Sequence, residues 1–84
     1  PEDSDTALVI NAVGNLELSL AKFPEARAAF DEALAILDKT TEDRDANMAL
    51  VTNNLGMLAL ETGDYAAARQ HFEAALALTR KAHG

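Results

Sequence analysis

An all-α chain of four antiparallel helices, folded as two helix-turn-helix units, is what three features of these 84 residues predict. Apolar residues recur at three- and four-residue intervals, and no run of alternating β-branched residues appears, so the period is helical. The sequence also repeats itself: shifted by 42 residues, 7–39 aligns with 49–81 without a gap, and 14 of those 33 positions are identical. A shared richness in Ala and Leu does not explain Asn11 with Asn53, Gly14 with Gly56, Arg27 with Arg69, or Phe30 with Phe72. Finally, Pro24, Thr40-Thr41, Gly63 and Asp64 punctuate the periodic stretches where helices would stop and restart.

The first helix is expected from about Asp5 to Ala21, with Ser4 or Asp5 as N-cap and Leu8, Val9, Ala12, Val13, Leu16 and Leu20 as its buried stripe. Lys22-Phe23 then turns the chain. Pro24 suits the first position of the second helix, where a missing N–H costs nothing. Ala26, Ala29, Phe30, Ala33, Leu34 and Leu37 form the buried side of that helix, and Thr40, Thr41 and Asp43 supply side-chain hydrogen bonds for a break. The third helix buries Met48, Val51, Leu55 and Leu58 and ends near Gly63, a residue suited to a left-handed C-cap. Asp64 caps the fourth helix, whose stripe is Ala68, Phe72, Ala75 and Leu76 and which frays near His83-Gly84.

Length and composition bound what such a chain does. Eighty-four residues make one domain, 1–84, with a first repeat at about 5–40 and a second at about 44–82, and leave no room for a multidomain enzyme. A net charge of -7 argues against a phosphate backbone as partner. The halves differ, since 1–42 hold nine acids and three bases (-6) and 43–84 hold five and four (-1). Without cysteine there is neither a disulfide framework nor a thiolate site. No apolar run approaches the roughly 20 residues of a membrane span, and the acidic start Pro-Glu-Asp-Ser-Asp is unlike a signal peptide, so a cytoplasmic chain is expected. Pro1 in place of an initiating Met is expected of a processed or excised piece.

Gly14 and Gly56 lie inside helical patterns, where each costs on the order of 1 kcal/mol relative to Ala. Close approach of the hairpin partner offsets that cost, with small Ala26 or Ala68 opposite and Phe30 or Phe72 filling the wider space beyond. An apolar-Gly pair in a first helix and Ala-x3-Phe in a second resemble the tetratricopeptide repeat. Val13-Gly14, Ala26, Phe30 and Ala33 match in the first copy; Leu55-Gly56, Gly63-Asp64-Tyr65, Ala68, Phe72 and Ala75 match in the second. The pattern departs at Ile10 and Thr52, at Glu17 and Ala59, at Ala21 in place of the turn glycine, and at Asp38 and Arg80 in place of the proline. The 42-residue period and the Asn53-Asn54-Leu55 run are similar to kinesin light chain-type repeats. The resemblance implies hairpins stacked as a short right-handed superhelix whose first helices line a concave face.

It also implies a protein-interaction module without catalysis. On the concave face it implies peptide-binding positions at Asn11, Asn15, Asn53 and Asn54, with Leu18, Met57 and Leu60 beside them as apolar contacts. A carboxamide offers a donor and an acceptor together, so it can pair with an extended backbone without reading its sequence. For Asn11 and Asn53, repeated in both copies, a binding role and a bracing role stand equally open; Asn15 and Asn54 are not repeated, which favours a plain structural role. Members that clamp a C-terminal carboxylate use Lys and Arg on these helices. None stands at the groove positions here, so a neutral or basic peptide is the expected ligand.

Other chemistry lacks its residues. His71 and His83 stand apart and are expected at the surface, with no metal-ligand spacing. No strand precedes a Gly-rich phosphate loop, and Ser4 and Ser19 have no base in a relay. No cofactor, metal, nucleic acid or membrane is expected. The alternative reading is a structural or self-association unit, or part of a longer solenoid: such arrays usually need three or more units, and Tyr65, Phe72, Leu76 and Leu78 have no polar capping helix after them.

Overall fold

The computed structural model describes residues 3–84 and contains α1 (Ser4–Ser19), α2 (Phe23–Leu37), α3 (Arg44–Glu61) and α4 (Tyr65–His83). Helix α1 packs on α2 and α3 on α4 as two hairpins, which meet mainly through α2 against α3, with α1 touching α3 alongside. The molecule measures 33 × 28 × 15 Å. Its thin axis is that of two helices in contact, about 9 Å between axes plus a Cα radius of about 2.3 Å on each side.

Local chemistry sets the helix ends. The cap of α1 is Asp3, not Ser4 or Asp5 as expected: its carboxylate accepts the Thr6 N–H at 2.9 Å, the reach an N-cap needs to the third helical residue. At its far end α1 closes at Ser19, ahead of the expected Ala21. The Ala21 N–H donates to the Leu18 carbonyl, and the Lys22 N–H to that of Glu17 at 2.8 Å. That is a Schellman closure, and it holds Ala21 at φ 59. The end of α3 repeats it with Gly63 at φ 81, Gly63 N–H to Leu60 and Asp64 N–H to Ala59. Phe23, expected in the turn, is the first residue of α2, and Pro24 follows it.

Between the hairpins, the Thr40 hydroxyl donates to the Leu37 carbonyl at 2.8 Å, while Asp43 contributes a left-handed backbone (φ 52) and no side-chain cap. Arg44 joins the hairpins through a 2.7 Å bond to Asp38. Asp64 caps α4 as expected, accepting the Ala67 N–H at 3.1 Å.

One cluster forms the core: Ala7 of α1, Ala26, Phe30, Ala33, Ile36 and Leu37 of α2, and Val51, Leu55 and Leu58 of α3. Ile10, Leu18, Phe23, Leu34 and Met48 pack against it, half-buried. The stripe expected of α3 lies here, as does that of α2 except for Ala29, which faces Gly14. That of α1 does not: Val9, Val13, Leu16 and Leu20 are exposed, and Ala7 and Gly14 are the buried residues. Helix α1 is apolar on two sides, and only the side toward α2 is covered. In α4, Ala68 and Ala75 are buried, Phe72 and Leu78 half-buried, and Leu76 and Tyr65 exposed.

Both helical glycines face a ring. A methyl group on Gly14 would stand 2.7 Å from Phe30 Cε1, and one on Gly56 2.6 Å from Phe72 Cε1. The close approach is therefore as expected, but its partner is phenylalanine rather than Ala26 or Ala68. A ring edge needs a slot in the facing helix, and glycine leaves one.

Candidate functional site

The side chains that α1 and α3 turn away from the core border a groove of about 470 Å³. Residues three, four and seven apart share a helix face. This brings Asn15 and Leu18 of α1 to one wall, with Asn53, Asn54, Met57 and Glu61 of α3 on the other. Ala21 of the first hairpin turn and Phe23, the first residue of α2, also border it. Asn53 and Met57 are exposed, Leu18 half-buried.

The asparagines divide by what they touch. Asn54 Nδ2 donates to Asn11 Oδ1 at 2.9 Å, a part-buried bond that ties α1 to α3. This bond orients both amides and leaves each with unused capacity: the NH2 of Asn11 and the carbonyl oxygen of Asn54. Asn15 and Asn53 are exposed. Asn53 also borders a second cleft of about 510 Å³ between α3 and α4, where Leu50, Phe72 and Leu76 are found. Leu60, exposed on α3, borders neither cavity, so the structure does not bring it to the other six positions.

Among the described residues, Glu61 is the one ionisable side chain that borders the groove, and no Lys or Arg does. It is an apolar-carboxamide trough with one negative end. Phe23 and Ala21 were not read as part of it from the sequence. The signal is their place directly after the first helix, at the start of the second. Among the described residues no three His, Asp or Glu side chains come together as for a metal, and no helix is long and apolar enough to cross a membrane. His83 is exposed, whereas His71 is half-buried rather than at the surface.

Compared with known proteins, the chain matches the family model described as Tetratricopeptide repeat over residues 5–81. No curated protein and no solved structure matches it.

Proposed function

The chain belongs to the tetratricopeptide repeat family, a family of protein-interaction and scaffold modules that is typically non-catalytic, and from that premise we propose that it captures an extended peptide in the groove between α1 and α3. The observation that carries this reading is the convergence of Asn15, Asn53 and Asn54 with Leu18 and Met57 on one trough. In the proposed complex, Asn15 and Asn53 pair with peptide backbone, and the Asn11–Asn54 couple braces the groove and adds its unused donor and acceptor. Leu18 and Met57 receive apolar side chains, and Leu60 extends the apolar surface along α3. Glu61 favours a neutral or basic segment over an acidic one. The two hairpins would form the start of a right-handed superhelix with this trough on its concave side, of the longer kinesin light chain-like kind.

The test is affinity for a neutral or basic peptide selected against the native chain. Changing Asn15 and Asn53 together to Ala is expected to weaken binding about 5- to 160-fold, from two lost hydrogen bonds of about 0.5–1.5 kcal/mol each, without loss of helicity. Unchanged affinity in the double variant would remove the reading. A second reading, a structural or self-association unit, is supported by the exposed apolar side of α1.

A further inference from the structure

The 42-residue repeat lets each residue of one hairpin be compared with its counterpart in the other. Val51, Leu55 and Leu58 of α3 are 0%, 4% and 1% exposed, in the core with α2. Their counterparts on α1, Val9, Val13 and Leu16, are 63%, 49% and 60% exposed. The receiving surface differs the same way. Phe30, Ala33 and Leu37 of α2 are fully buried where α3 joins the first hairpin. Their counterparts Phe72, Ala75 and Thr79 border the open cleft of about 510 Å³, with Leu76 half exposed. One chain thus carries a knob without its cleft at one end and a cleft without its knob at the other.

We infer that copies of this chain dock head to tail, α1 of one copy entering the α3–α4 cleft of the next in the register that α3 adopts on the first hairpin. This deepens the self-association reading above and rests on it. The contact continues the interface already present between α2 and α3. Charge disfavours pairing two α1 faces, and shape disfavours pairing two clefts, since neither cleft would then receive a helix. Joining two α1 faces would set two halves of charge -6 together, whereas head-to-tail docking sets a -6 half against a -1 half. The two residues of the Arg44–Asp38 ion pair between hairpins have sequence counterparts of exchanged sign, Glu2 and Arg80, of which Glu2 lies outside the described residues. Because the two surfaces differ, the contact is heterologous, and successive copies build an open chain or a closed ring rather than a two-fold dimer.

Sedimentation of the native chain and two variants tests this. Val13→Glu blocks the knob and Leu76→Glu the cleft; both positions are exposed, so each variant is expected to keep its helicity and melting profile. The native chain should gain mass with concentration, each variant alone should stay monomeric, and their equimolar mixture should form a 1:1 complex that grows no further. Ala12→Asn adds a second check of register. Ala12 is the counterpart of Asn54, and the new amide would face Asn53 of the next copy as Asn54 faces Asn11, tightening association about two- to ten-fold. A variant that still dimerises alone, or a mixture that stays monomeric while the native chain associates, overturns head-to-tail docking and leaves self-association standing. A native chain that is monomeric from micromolar to millimolar concentration overturns both.

Discussion

At the scale of single residues, two pairs of equivalent positions in different surroundings test the packing argument. Gly14 meets the fully buried ring of Phe30, which has nowhere to move, whereas Gly56 meets the half-buried ring of Phe72, which does. Changing glycine to Ala gains about 1 kcal/mol of helix propensity at either site, against overpacking of about 1–3 kcal/mol where the neighbour is fixed. Gly14→Ala is therefore expected to lower stability in thermal unfolding and Gly56→Ala to leave it near neutral; equal effects would argue against the difference in ring freedom. The turns make the second pair. A residue with a Cβ costs about 1–2 kcal/mol in the left-handed region, and Ala21 occupies it where the other hairpin has Gly63. Ala21→Gly should raise the melting temperature, and Gly63→Ala, with open space around it, should lower it by backbone strain alone. Sequence made the importance of both helical glycines legible. It did not reveal the ring opposite, because helical spacing places residues on a face without saying how two faces interlock.

The elements were legible to different degrees for a physical reason that α1 illustrates. All four helices follow from apolar period and caps, and the stripes expected of α2, Ala29 excepted, and of α3 belong to the core. Helix α1 has apolar residues on two sides, one directed at its hairpin partner and one that corresponds to the buried side of α3, and periodicity alone cannot say which is covered. Comparison with α3 supplies the answer: Ala7 and Gly14 correspond to the buried Ala49 and Gly56, and Val9 and Val13 to Val51 and Leu55. The start of α1 carries a pH prediction. The hydrogen bond from the Thr6 N–H favours the charged carboxylate of Asp3 and holds its pKa below the ordinary value of 3.8. With the folded pKa depressed, the cap contributes fully above that ordinary value and is lost as pH falls through the lowered one. The first turn of α1 should therefore fray in acid, and Asp3→Asn, an uncharged cap, should remove that contribution to the pH dependence. An Asp3→Asn chain with the native pH profile would contradict the assignment.

For the whole molecule, duplication is the organising fact, and it was plain in the sequence from the alignment of 7–39 with 49–81. Its consequence for the site was only partly so. The groove gathers six of the seven positions expected to meet a peptide, either on its walls or through the Asn11–Asn54 bond, while Leu60 lies apart. That one Asn from each hairpin would bond the other could not be read from one helix at a time, because the bond exists only once the hairpins are packed. The same packing that orients these amides leaves the outer sides of α1 and α4 open, so the proposed peptide trough and the two ends proposed to dock lie on one molecule. Amide chemical-shift mapping with a selected peptide tests the trough most directly. The account predicts shifts concentrated at Asn15, Leu18, Asn53 and Met57; shifts confined to α2 and α4, with those four unmoved, would contradict it.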